Sequence, residues 1–272
     1  MGCVVSDVDH SGQLPTVLSL CTGYGGIERG LELAGLEHRT VAHVEIEAFA
    51  AANLVAKMEA GHLVPAPVWT DLKTLPAHCF RDRVDVLTGG YPCQPFSAAG
   101  LRKGVEDPRH LWPFIKRHIE TIRPLCCFFE NVEGHISLGL REVIEDLESL
   151  DYQTTWGIFS AAEVGAPHQR KRVFILAGAI SQGSQGRLPR RQDQERQDQQ
   201  GHVGRSGAAH RQPEPISWAT EPDVGRVVNG AAFRVDRLRL LGNGVVPHTA
   251  AKAWIVLNDQ LGSGHNLANE IA

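Results

Sequence analysis

Cys93 stands between Pro92 and Pro95 in "LTGGYPCQPFSAAG" (87–100), where an apolar run stops. The two prolines stiffen the backbone on either side of the thiol. Cysteine is often a packed small hydrophobe. The alternative is a nucleophile, which needs a depressed pKa or a base that takes its proton during attack. Glu130, in "CCFFEN" (126–131), is the second residue that could do chemistry. A carboxyl group at the end of a buried run is either structural or placed to hold and deliver a proton, and burying it unpaired is costly. Three further segments have binding chemistry. "CTGYGGIERG" (21–30) is a glycine-rich turn opening a helix, whose Gly23, Gly25 and Gly26 let a backbone approach a ligand and whose first N–H groups can meet it. Glu45 ends "TVAHVE", where an acid can accept from both hydroxyls of a ribose, and Asp71 in "VWTDL" can accept from an adenine amino group. Singly these read equally as a connecting turn and solvated acids; together they outline a nucleoside-binding rim.

The elements that must position these residues alternate. "TVLSLC" (16–21), "TVAHVE" (40–45), "DVLTGG" (85–90), "CCFFEN", "TTWGIF" and "RVFILAG" (172–178) read as strands. Helices are expected from "GIERGLELAG", with Ile27, Leu31 and Ala34 on one stripe, from Ala48 to Met58, and over 141–150. Another has Leu111, Ile115, Ile119 and Ile122 on one face and is closed by Pro124. Such alternation predicts an α/β fold, a mostly parallel sheet covered by helices on both faces. Ligands of open sheets collect beyond the carboxyl ends of the strands, where the turn, Glu45, Asp71, Cys93 and Glu130 all fall. After Ala179 the chain turns polar and rich in Gln, Arg and Gly. That stretch reads as a solvated tether, or as an insertion along a polyanion with Arg187, Arg190, Arg191, Arg196, Arg205 and Arg211. Order returns at Trp218, and "GNGVVPHTAAKAWIVL" (242–257) is a turn entering a helix with Pro247 in its first turn.

With 272 residues, 42% apolar and 21% charged, the chain has the composition of a soluble globular protein. Its N-terminus has neither a basic start nor an apolar core, so no secretory signal is expected, although "MGCVVS" formally fits a myristoylation pattern. No run is long enough to cross a bilayer, so no membrane association is expected. Six cysteines without paired spacing predict no metal site, no disulfide framework and a reducing, cytoplasmic home. The net charge of −4 shows no global basic footprint, which leaves room for a local basic cleft.

Five segments, "LCTGYGGIERGL", "GGYPCQPFSAAG", "FFENVEG", "GAPHQRKRVFILAG" and "LGNGVVPHTAAKAW", occur in the order seen in cytosine-5 DNA methyltransferases, and the chain resembles that family over 16–178 and 236–257. The resemblance implies a Rossmann-like S-adenosylmethionine-dependent methyltransferase fold with a small recognition insertion. It implies an N-terminal extension at 1–15, a catalytic domain of 16–178 and 236–258, a target-recognition insertion at 179–235 and a tail at 259–272. In the family the cysteine matching Cys93 attacks carbon 6 of a flipped cytosine. The glutamate matching Glu130 binds N3 and the exocyclic amine, and Arg170 and Arg172 match arginines that orient base and glutamate. The implied cofactor is S-adenosylmethionine, leaving as S-adenosylhomocysteine. Its contacts would be Cys21, Gly23, Gly25, Gly26, Glu45 and Ile46 on one side. Asp71, Leu72, Pro92, Asn243, Gly244 and Val245 would supply the rest. The loop from Ser97 to Arg109 would close over the base. Implied partners are double-stranded DNA and a separately encoded cognate restriction endonuclease, with the enzyme itself a monomer, as in compact phage or restriction–modification examples. An RNA cytosine-5 methyltransferase and a non-catalytic DNA-binding relative are the alternatives. The chain departs from the family at four positions: Ser19 replaces an acid, Cys21 an aromatic residue, His168 a glutamine and Gly244 a serine.

Overall fold

The computed structural model describes residues 14–92, 110–180, 242 and 244–263. Cys93, Asn243, the loop from Ser97 to Arg109 and the Arg/Gln-rich stretch from Ser181 lie outside them. The described strands are β1 (Thr16–Leu20), β2 (Arg39–Val44), β3 (Val68–Trp69), β4 (Val86–Gly89), β5 (Cys126–Val132), β6 (Tyr152–Phe159) and β7 (Arg172–Ala179). They form a seven-stranded sheet in the order β3-β2-β1-β4-β5-β7-β6. The helices are α1 (Gly26–Leu33), α2 (Ala48–Glu59), α3 (Trp112–Ile122), α4 (His135–Leu138), α5 (Leu140–Ser149) and α6 (Pro247–Ser263).

The sheet is mostly parallel, as the alternation predicts: β1 pairs in parallel with β2 and β4, β2 with β3, and β4 with β5. The sequence did not announce that β7 runs antiparallel to both β5 and β6. The physical cause is the connection from β6 to β7, which holds a three-residue 3-10 turn at Ala162–Val164 and no α-helix. A parallel crossover needs a dozen or more residues, usually with a helix to carry the chain back over the sheet.

Alternate strand residues feed two cores. Leu18, Leu20, Leu87, Cys127 and Phe129 pack with Trp112, Ile115, Ile119 and Ile122 of α3 and Val143 and Leu147 of α5. Val17, Val86, Cys126, Phe128 and Phe174 pack with Ile27 and Leu31 of α1 and Trp254 and Leu257 of α6. Adjacent Cys126 and Cys127 are therefore both core residues, one per face. Each fully buried Leu, Ile or Phe contributes roughly 1.5–3 kcal/mol relative to exposure. α3 stops where Arg123 turns left-handed, at φ 56°, just before Pro124. α6 begins on Pro247, whose missing N–H costs nothing at a helix start, and continues to Ser263 with Leu261 still buried. α1 lies close against α6 because Gly26 and Gly30 have no side chains. A Cβ on Gly26 would come within 2.5 Å of the Val245 carbonyl oxygen, and one on Gly30 within 2.6 Å of Ala250 Cβ.

Candidate active site

The carboxyl ends of β4 and β5 meet at one edge. Gly89 is in register with Phe129, so Gly90 to Pro92 leave the sheet beside Glu130 and Asn131. Glu130 is 6% exposed. Because β7 runs backwards, its first residue, Arg172, lies opposite Val132 at this same edge. Arg172 is thus diagonal to Glu130, within reach for a long side chain, and its Nε stands 2.9 Å from Glu130 Oε1. The N–H is not aligned on that oxygen, so the contact is an ion pair that leaves Oε1 without a full hydrogen bond. Burial pushes the Glu130 carboxyl up to about 7, against the opposing pull of Arg172 and then Arg170. A carboxyl group poised there can hold a proton at neutral pH and give it up, which is what general acid–base work requires.

Arg170 has left-handed backbone, φ 36°, unusual for a residue with a side chain. Its Nη2 donates to the carbonyls of Gly242, at 2.7 Å, and Gly244. The arginines predicted from the sequence therefore divide their tasks: Arg172 meets the carboxylate, and Arg170 grips the segment that leads into α6.

One strand over, the glycine-rich turn leaves β1. Gly23 and Gly25 are left-handed, at φ 60° and 84°, and the N-terminus of α1 has no side-chain cap. Glu45, buried at the end of β2, takes the Gly23 N–H on Oε2 at 2.7 Å and the Glu47 N–H on Oε1 at 2.8 Å. It fixes the turn's shape, and each oxygen keeps a lone pair for a further donor. Ile46 beside it is 72% exposed, an apolar side chain at the rim. Asp71 accepts the Lys73 N–H on Oδ1, capping the 3-10 turn Leu72–Thr74. The Leu72 side chain is buried in the core, so what it can offer a ligand is backbone. Cys21 is left-handed at φ 50°, and burial, with Glu45 nearby, pushes its thiol up to about 12. That thiol stays protonated and is no nucleophile.

Three residues that the sequence reading passed over complete the edge. The Tyr91 hydroxyl and His135 Nε2 are 3.1 Å apart, and Asn131 Nδ2 donates to the Tyr91 carbonyl at 3.1 Å. The Tyr91 ring packs against Trp112, Phe129 and His135. The turn that carries Pro92 is so anchored at its root. Tyr24, between the two left-handed glycines, donates its hydroxyl to the Val245 carbonyl. Tyr91 adjoins the Pro-Cys pair, a signal available from sequence; His135 and Tyr24 carried none.

The fold and the sequence have counterparts among known proteins. The fold is similar to the crystal structure of the S. pombe Dnmt2 methyltransferase, with a TM-score of 0.52 and 27% identity over 63% of this chain and 53% of that one. The Entamoeba histolytica methyltransferase EhMeth shares the fold with a TM-score of 0.51 and 18% identity. These neighbours define the class as a methyltransferase fold. Residues 15–214 match the C-5 cytosine-specific DNA methylase family, and the chain belongs to it. Its relatives include the Type II methyltransferase M.NaeI of Lentzea aerocolonigenes, 32% identical over 166 residues, 59% of this chain and 39% of that protein. M.NgoMIV of Neisseria gonorrhoeae is likewise 32% identical over 166 residues, 60% of this chain and 51% of that protein. The chain thus spans about half the length, or less, of these relatives.

Proposed function

We propose that this protein transfers a methyl group from S-adenosylmethionine to carbon 5 of cytosine in DNA. The observation that carries the reading is Glu130: a buried carboxyl group near pKa 7, ion-paired to Arg172, at the strand end beside Gly90 to Pro92, the residues that lead into Cys93 in the sequence. Addition of a thiolate to carbon 6 places negative charge on the pyrimidine ring, and a carboxyl group that holds a proton at N3 neutralises it. Glu130 serves as that group, Arg172 orients it, and Cys93 supplies the sulfur. Carbon 5, made nucleophilic by that addition, takes up the methyl group, and loss of its proton to solvent then breaks the carbon 6–sulfur bond and restores the 5,6 double bond.

The residues at the neighbouring strand ends suit S-adenosylmethionine. The uncapped N-terminus of α1 and the left-handed glycines offer backbone N–H groups, Glu45 offers acceptors for a ribose, and exposed Ile46 offers apolar surface for a flat ring. When bound, S-adenosylmethionine supplies an electrophilic methyl group. The chain's own part is to hold Glu130 protonated, to present Cys93 and to keep the base oriented.

The test is methyl transfer from labelled S-adenosylmethionine to unmethylated duplex DNA and, side by side, to tRNA. We expect transfer to DNA, lost in Cys93→Ser, and a covalent adduct between wild type and 5-fluorocytosine DNA. Transfer to tRNA alone would reassign the substrate. Transfer that survives Cys93→Ser would overturn the covalent route.

A further inference from the structure

We propose that Tyr24 is a positioning residue that ties the glycine turn to the Arg170 side of the pocket. Its ring occupies the volume that a side chain at residue 244 would need, and its hydroxyl holds residue 245. The role rests on the methyltransferase reading, and the contact itself rests on geometry alone.

Tyr24 is held at three points. Its hydroxyl donates to the Val245 carbonyl. Lys57 Nζ donates to the Tyr24 carbonyl at 2.7 Å and also stands 5.2 Å from the centre of its ring, a cation–π distance. A Cβ built on Gly244 would overlap Tyr24 Cε1 at the edge of the ring. The departure of residue 244 from the serine of the resembling family therefore has a physical partner: a tyrosine at 24 and a glycine at 244 fill one space together. The segment so pinned supplies the Gly242 and Gly244 carbonyls that accept from Arg170. A hydrogen-bonded path therefore runs from the turn to residue 245, and from residues 242 and 244 to Arg170. Its consequence is that a ligand seated in the turn biases the placement of Arg170, so that one side chain serves both half-sites.

The experiment compares full-length wild type with Gly244→Ser, Tyr24→Ala, the double variant and Tyr24→Phe. Melting temperature, S-adenosylhomocysteine affinity by calorimetry, and kcat and KM on unmethylated mixed-sequence duplex DNA are measured for each. Gly244→Ser is expected to melt lower and to lose about 100-fold in kcat/KM. The double variant is expected to regain at least about tenfold of that loss and part of the melting temperature, because the ring that blocked the serine is gone. Tyr24→Phe keeps the ring and loses a single neutral hydrogen bond, which corresponds to roughly 2–13-fold. That loss is expected in kcat, with S-adenosylhomocysteine affinity within about twofold of wild type. A purely structural tyrosine would lower melting without separating kcat from affinity. The proposal is overturned if Gly244→Ser behaves as wild type or if the double variant is no better than Gly244→Ser. It is overturned equally if Tyr24→Phe lowers melting and leaves kcat unchanged. A wild type that neither binds S-adenosylhomocysteine nor transfers methyl defeats the methyltransferase reading and the positioning role together. The melting temperatures of the four proteins in the Tyr24/Gly244 cycle then still decide whether the two residues share one space.

Discussion

At the residue scale, the Glu130 carboxyl stands between opposing forces. Burial raises its pKa from 4.5 to about 7, and the two arginines restrain the rise. In the proposed mechanism the protonated form neutralises N3, so kcat/KM should fall as pH rises through about 7, and its pH profile gives the check. Arg172→Gln removes the larger restraint and should move that alkaline limb to higher pH. Glu130→Gln should slow transfer by roughly 10²–10⁴-fold at saturating DNA and erase the limb. An unchanged limb in Glu130→Gln would assign the proton to another group. Glu130 was legible in sequence because its carboxyl ends a buried strand. Its pairing with Arg172 was expected from the resemblance alone, since spacing in the chain does not disclose that β7 is reversed. The reading of Cys21 as a cofactor contact has gained a limit: its thiol is locked in the protonated state, so what it can lend is shape.

At the element scale, the strand-end turns are shaped by side chains that arrive from elsewhere. Glu45 gathers the Gly23 and Glu47 N–H groups, so Glu45→Ala should loosen the turn as well as remove acceptors for a ribose. Charge-assisted hydrogen bonds contribute about 1.5–3 kcal/mol, which is roughly tenfold to over a hundredfold in S-adenosylmethionine affinity by calorimetry. His135 anchors the other turn through Tyr91. Burial pushes its imidazole from the ordinary 6.5 down to about 4, so the folded protein refuses a proton that the unfolded chain accepts. The stability this gives is fully present above about pH 6.5 and drains as pH falls toward 4, to a limit of about 3 kcal/mol. Urea midpoints measured from pH 7.5 to 5 should therefore fall faster for wild type than for His135→Phe, and parallel curves would refute the assignment. Helix faces and strands were legible because their periodicity is local. His135 was not, because nothing in "EGHISLG" signals which distant hydroxyl its ring will meet.

At the scale of the whole molecule, the ledger of what sequence could show follows the same division. The alternation of elements fixes a layered α/β sheet; β1, β2 and β4 to β7 and helices α1, α2, α3, α5 and α6 lie within a few residues of their expected places, while the two-residue β3 and the single turn α4 were not expected. The direction of β7 escaped, because it depends on a connection that carries no helix rather than on the strand's own residues. Ligand binding offers a test of the assembled body. At a concentration one hundred times its Kd, a ligand that binds only the folded state stabilises by about 2.7 kcal/mol. S-adenosylmethionine at that level should raise the melting temperature by roughly 5–10 °C, and Glu45→Ala at the same concentration should show at most half the shift. A wild type that melts at the same temperature with and without the ligand would place the cofactor elsewhere.

The reversal of β7 also governs how the chain comes and goes. Arg172 enters the sheet at the edge that holds Glu130, and Gly178 lies beside Cys126 at the opposite edge. Eight residues of strand separate the two edges, roughly 25 Å. Val245 lies back at the Glu130 edge, against Tyr24 and Gly26. The described scaffold is therefore moored on each side of that stretch: the Ile180 N–H donates to the Asp151 carbonyl, and the Gly244 and Val245 carbonyls accept from Arg170 and Tyr24. Two separate anchors thus fasten the end of β7 and the start of α6 to one rigid body.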